Sequence, residues 1–173
     1  MELQGKEVAI LVEDMYNEFE FWYPYYRLKE AGAHVVVVGT GKVGGYHSKA
    51  GLPAQENISA AKATAADFDG VVIPGGFAPD LMRRSEAMVN FVKDLNGQGK
   101  VVAAICHAGW MVASAEIVNG RKLTSFFSIK DDLIHAGASW VDEEVVVDGN
   151  LITSRMPDDL PVFMKAVISA LKG

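Results

Sequence analysis

The only cysteine of this chain, Cys106, ends an apolar run and opens a stretch of small residues; residues 103–115 read AAICHAGWMVASA. A thiol attacks carbon as its thiolate, and this position offers two ways of favouring that form. A helix starting here would aim its first N–H groups and its positive dipole end at the sulfur, and the same donors would hold an oxyanion. A strand-to-helix turn sharp enough to present a nucleophile needs small neighbours, and Ala104, Ala108 and Gly109 supply them. The competing reading is a free cysteine packed as a small hydrophobe, the usual fate of such residues. The strand-end position, the small flanks and the adjoining His107 favour a reactive thiol.

Pro74-Gly75-Gly76 closes another apolar run. Such a turn brings backbone N–H groups close to a ligand, which makes Gly75 and Gly76 candidate oxyanion donors; a tight turn with no ligand reads the same way. His34, His47 and His135 fall on a strand, a loop and a helix without ligand spacing, so neither a metal nor another cofactor is expected.

The elements that must position these groups follow from periodicity. EVAILV (7–12), HVVVV (34–38), GVVIP (70–74) and KVVAAI (100–105) read as strands buried on both faces. Between the first two, Phe21, Tyr25 and Leu28 recur at helical spacing up to a stop at Gly32, and Pro24 either starts or bends that helix. Residues 85–100 form a second helix with Gly97 as its cap, and a third runs from Cys106 to Asn119-Gly120. Residues 128–137 form a short helix with Ser128 as a possible N-cap, Asp148-Gly149 marks a hairpin, and residues 157–173 form a closing helix. Residues 41–66 suggest a small hairpin followed by polar loop. Strands alternating with helices imply an α/β, doubly wound sandwich: a mostly parallel sheet, helices on both faces and a C-terminal hairpin. Ligands collect outside the carboxyl ends of such strands, where Cys106 and the glycine pair both fall.

With 173 residues, half of them hydrophobic, the chain fits one domain, 1–173. A net charge of −6 and no basic run argue against nucleic acid as a partner. No apolar run is long enough to span a bilayer, the opening residues lack the pattern of a secretory signal, and one cysteine suits a reducing compartment. A cytoplasmic protein with no membrane partner is expected.

Five stretches together resemble the PfpI-type intracellular cysteine peptidases and deglycases, within the class I glutamine amidotransferase-like superfamily: YPYYRLKEAG (23–32), IPGGFAPD (73–80), AICHAG (104–109), IKDDLIHAGASWVDEEVVVDGN (129–150) and SRMPDDL (154–160). The resemblance implies a flavodoxin-like fold, Cys106 as nucleophile, and a carboxylate against its sulfur, which falls on Glu20 when counted from the shared Tyr23-Pro24. It also implies a homo-oligomer, dimer or hexamer, in which His107 pairs with the cysteine and an acid from a neighbouring chain, at the position of Asp80, orients it.

Three positions depart from the family pattern. Asn17 replaces a glutamate in the turn after the first strand, Asp80 is one methylene shorter than the usual glutamate, and Phe126 stands where relatives carry Tyr or His and so lacks a polar tip. Two functions remain open. One is a cysteine-dependent hydrolase or lyase acting on small carbonyl adducts or short peptides, with Cys106 attacking, Glu20 assisting, and Gly76 with the His107 N–H holding the oxyanion. The other is a non-catalytic redox-sensing stress protein whose cysteine oxidises to sulfinate beside Glu20.

Overall fold

A computed structural model describes residues 1–173. In chain order the strands are β1 (Glu7–Leu11), β2 (His34–Gly39), β3 (Tyr46–His47), β4 (Pro53–Ala54), β5 (Ile58–Ser59), β6 (Gly70–Ile73), β7 (Val101–Ile105), β8 (Lys122–Leu123), β9 (Ser139–Trp140), β10 (Val145–Asp148) and β11 (Leu151–Ser154). The helices are α1 (Glu18–Ala31), α2 (Ala78–Met82), α3 (Glu86–Gly97), α4 (Gly109–Ser114), α5 (Lys130–His135) and α6 (Leu160–Lys172).

Seven strands form the main sheet in the order β10-β11-β7-β6-β1-β2-β5, and every pairing is parallel except that of β10 with β11. The four long apolar runs became β1, β2, β6 and β7. β6, β7 and β11 are buried along their whole length because helices cover both faces. α1 and α6 pack together on one side, while α3 and α4 cover the other. The chain leaves β1 toward β2 and returns on its other side through β6, so loops part at the carboxyl ends of β1 and β6 and leave a crevice there.

The hairpin is present, with Asp148 paired to Leu151 across Gly149-Asn150. In residues 41–66, β3 and β4 form a small hairpin, but the polar loop expected after it contributes β5 to the sheet edge. Two helix ends differ from expectation. α3 keeps Gly97 inside its last turn, and the left-handed residue is Gly99 (φ 71°). The helix expected to run from Cys106 to residue 119 is a 3-10 turn (Cys106–Ala108) followed by α4, which ends at Ser114, and Glu116 reverses the chain at φ 59°.

Candidate active site

β7 delivers Cys106 to the crevice in a left-handed backbone conformation, φ 62°. For a residue with a side chain that costs on the order of 1–3 kcal/mol and persists only where the surroundings dictate it. Here β7 is buried before the cysteine and the next turn is packed tightly behind it. A Cβ on Gly109 would lie 2.9 Å from Ile129 Cδ1 and 3.0 Å from Leu133 Cδ1, so glycine lets α5 close against the start of α4. The twist also brings adjacent side chains together, which a regular helix does not do. His107 Nδ1 stands 3.2 Å from Cys106 Sγ.

Glu20 enters from α1, and its position is set by the first turn of that helix. Asn17 caps the turn, its Oδ1 accepting from the N–H groups of Phe19 and Glu20 at 3.0 and 3.2 Å. Pro24 lies inside α1 and withholds the N–H that would have met the Glu20 carbonyl. The Glu20 side chain is 0% exposed. Its Oε2 accepts from the Gly75 N–H at 2.7 Å, and its Oε1 has no hydrogen-bond partner. Burial raises its pKa from the usual carboxylate range to about 7, against the opposing pull of the Gly75 N–H and the Cys106 side chain.

The thiol is 7% exposed. Burial first, and then the Glu20 charge, push it up to about 12, while the backbone N–H groups of His107 and Gly76 favour the thiolate. A glutamate proton removes the opposing charge, so the pair ionises as a unit holding one negative charge. Burial and then the positive charge of Lys49 lower the His107 pKa, leaving the imidazole neutral at pH 7.

Of the expected oxyanion donors, Gly76 and His107 turn their N–H groups toward the sulfur. Gly75 corrects the sequence reading: its N–H is committed to Glu20 and is not free for an oxyanion. Gly76 adopts φ 82°, and a Cβ there would stand 2.5 Å from the Met15 carbonyl oxygen and 2.6 Å from the Asn17 nitrogen.

Asp80 sits on α2, where its carboxylate accepts from Arg83 (2.7 Å) and Arg84 (2.6 Å), and those bonds hold its pKa low. It does not line the crevice. Arg83 lies over the Trp110 ring at 4.9 Å, and Trp110 meets the His107 ring edge-on at 5.1 Å. Phe126 stacks on the other side of His107 at 5.0 Å. The position that lacks a polar tip therefore serves as a wall for the imidazole.

The crevice above the sulfur has a volume of about 380 Å³, a size for a small molecule. Lys49 is its only lining residue that carries a full charge, and Asn17, Phe77 and Pro157 join Gly76, Cys106 and His107 around it, while Glu20 lies behind the sulfur and does not line it. Sequence reading missed Lys49, Trp110 and Ser128. Lys49 belongs to a loop without periodicity. Ser128, taken as a helix cap, instead turns its Oγ to His107 Nε2 at 3.2 Å.

Residues 6–170 match the model of the DJ-1/PfpI family. The chain is 42% identical over 165 residues to a protein of Pyrococcus abyssi named deglycase PYRAB04690, covering 95% of this chain and 99% of that one. It is 38% identical over 171 residues to protein/nucleic acid deglycase 2 of Escherichia coli, covering 96% and 98%. Among solved structures, a two-domain protein of Anabaena variabilis with DJ-1/ThiJ/PfpI-like and ferritin-like domains superposes with a TM-score of 0.94 at 46% identity. That match covers 96% of this chain, which spans about half (48%) of the two-domain protein.

Proposed function

The chain belongs to the DJ-1/PfpI family, and from that premise we propose that it is a cysteine-dependent hydrolase or lyase of the deglycase and glyoxalase type, acting on small carbonyl compounds and their adducts. The observation that carries this reading is a strained Cys106 backed by a fully buried glutamate with one unpartnered oxygen.

In the proposed cycle, Cys106 Sγ bonds to the aldehyde carbon of a 2-oxoaldehyde. The thiol proton passes by way of His107 Nδ1 to the carbonyl oxygen, which the N–H groups of Gly76 and His107 hold as charge develops. For a substrate already bound as an amine or thiol adduct, that bond breaks and the amine or thiol leaves with a proton. The hydrogen of the former aldehyde carbon then moves as a proton to the neighbouring carbonyl carbon, with Glu20 relaying it, while the hydroxyl proton on the sulfur-bearing carbon passes to the neighbouring oxygen, and a thioester of a 2-hydroxy acid results. Water cleaves the thioester and restores the thiol. The sum is the addition of one water, one carbon being oxidised as its neighbour is reduced.

A crevice of about 380 Å³ suits such substrates better than an extended polypeptide, which makes peptidase activity the weaker form of the reading. Association of copies into a dimer or hexamer is part of the proposal, and the exposed Phe19, Tyr23 and Tyr26 of α1 offer apolar surface for it.

The test is turnover of methylglyoxal, of its adducts with N-acetylated amino acids, and of short peptides by wild type and Cys106→Ser. The variant is expected to lose about a hundredfold or more. Equal rates would remove the thiol from the mechanism.

One observation favours a second reading. The unpartnered Glu20 Oε1, protonated, could donate to a sulfinate formed when the thiolate takes one oxygen from each of two peroxide molecules and releases two waters. Mass spectrometry after mild peroxide discriminates: a Cys106 that gains no oxygen while turnover persists rules this reading out.

A further inference from the structure

We propose that Ser128 is the positioning residue of His107, a neutral hydroxyl at the place where cysteine–histidine pairs ordinarily set a side-chain acceptor. This inference rests on the reading of Cys106 and His107 as a working pair. The His107 ring is held on both faces, by Phe126 at 5.0 Å and by the edge of Trp110 at 5.1 Å. Its two nitrogens have one polar partner each, Cys106 Sγ at Nδ1 and Ser128 Oγ at Nε2, both at 3.2 Å. The loop that carries Ser128 is tied to the cysteine turn itself, because the Phe126 N–H donates to the Cys106 carbonyl at 3.3 Å. Ser125 Oγ in turn accepts from Trp140 Nε1 at 3.0 Å and donates to the Phe126 carbonyl at 2.9 Å, fixing the same loop to β9.

The tautomer is part of the proposal: the thiol proton goes to a bare Nδ1, so the ring hydrogen resides on Nε2 and donates to Ser128 Oγ. When the thiol proton moves to Nδ1, Nε2–H remains on Ser128 and the ring need not turn. Ser128 thus keeps Nδ1 available as a base, as a carboxylate would, but without a negative charge to stabilise the imidazolium. The charged and titratable groups around the ring are Cys106 on its own turn, Glu20 behind the sulfur on α1, and Lys49 on the β3–β4 loop. Beyond Trp110 lie Arg83, just past the end of α2, and Asp132 of α5, the latter accepting from Trp110 Nε1 at 2.8 Å.

The experiment compares wild type with Ser128→Ala, Ser128→Thr and Ser128→Asp. It measures kcat and KM on methylglyoxal, the imidazole ¹⁵N spectrum of His107, and the pH profile of Cys106 alkylation by iodoacetamide. Ser128→Ala is expected to lower kcat about fivefold with KM nearly unchanged, and to turn a single Nε2–H tautomer into a mixture. Ser128→Thr restores both. Ser128→Asp moves the alkylation midpoint down by about one pH unit, because a carboxylate at Nε2 favours the imidazolium and with it the thiolate. A Ser128→Ala protein whose ¹⁵N spectrum and alkylation profile match wild type overturns the inference. If the wild type turns over no carbonyl substrate, the proposed function fails, while the ¹⁵N and alkylation readings still decide the role of Ser128.

Discussion

The Glu20 carboxyl and Cys106 both crowd the same point beside Gly75: a methyl group there would stand 2.5 Å from Glu20 Oε2 and 2.8 Å from the cysteine Cβ. An acid and a thiol are thus enclosed together, and neither can ionise without regard to the other.

The first prediction concerns that shared charge. With the glutamate raised to about 7 and the thiol, opposed by it, to about 12, the pair loses its first proton near pH 7. The rate of iodoacetamide alkylation in wild type should therefore rise through an inflection near pH 7 and rise again in strong alkali. Glu20→Gln should lose the inflection near 7 and keep a single rise at more alkaline pH. An inflection near 7 that survives in Glu20→Gln would assign it to another group.

The same burial affects stability. Glu20 has a folded pKa of about 7 against 4.5 when unfolded, so folding favours its protonated form. Its contribution is intact below about pH 4.5 and is lost as pH rises through 7, where the ionised carboxylate costs roughly 3 kcal/mol. Urea unfolding of wild type and Glu20→Gln should give similar stabilities at pH 4.5 and a more stable variant at pH 8. A variant equally stable, or less so, at pH 8 would mean that the carboxylate is solvated in the native state.

Much of this arrangement was legible before the fold was known, for identifiable reasons. Short β-branched runs such as those of β1, β2, β6 and β7 suit strands buried on both faces, and the small residues after Cys106 allow a sharp turn. Where single atoms point was not legible. A glycine pair at a strand end looks the same whether its N–H groups meet a ligand or, as at Gly75, a buried acid. A serine before a helix reads as a cap, and only tertiary placement turned Ser128 toward His107. The two residues of β5 are too few to carry a period.

The glycine pair gives a third test, because the two positions should fail differently. Gly75→Ala places its methyl against Glu20 Oε2 and so displaces the carboxyl; turnover should fall at least about tenfold and the near-neutral alkylation inflection should move. Gly76→Ala meets backbone atoms of Met15 and Asn17 and must hold φ 82°, so its main effect should be a loss of about 1–3 kcal/mol in denaturant titration. Identical phenotypes would argue that the strand-end turn is disturbed as a whole.

Asn17 acts on Glu20 through the helix start. Asn17→Ala removes the acceptor of two backbone N–H groups and should cost about 1 kcal/mol. Asn17→Asp, which also caps, should recover the stability. A kcat that returns with it would mean that Asn17 serves catalysis by fixing the first turn of α1; a kcat that stays low would mean that the amide itself meets substrate in the crevice it lines.

Asp80 gives the last prediction, on whether one chain completes the site of another. In its own chain both carboxylate oxygens are engaged by Arg83 and Arg84, and Arg83 in turn lies over the Trp110 ring that borders His107. This arrangement supports an effect within the chain: Asp80→Asn loosens Arg83, Trp110 gains freedom, and kcat falls a few-fold. An acid donated across an interface makes a different demand. Mixing Asp80→Asn chains with Cys106→Ser chains under subunit exchange would then restore turnover, since a chain with its thiol would receive an intact aspartate from its neighbour. The intrachain bonds predict that the mixture is no more active than its Asp80→Asn component alone. Recovery above that level would show that the arginines release Asp80 on assembly.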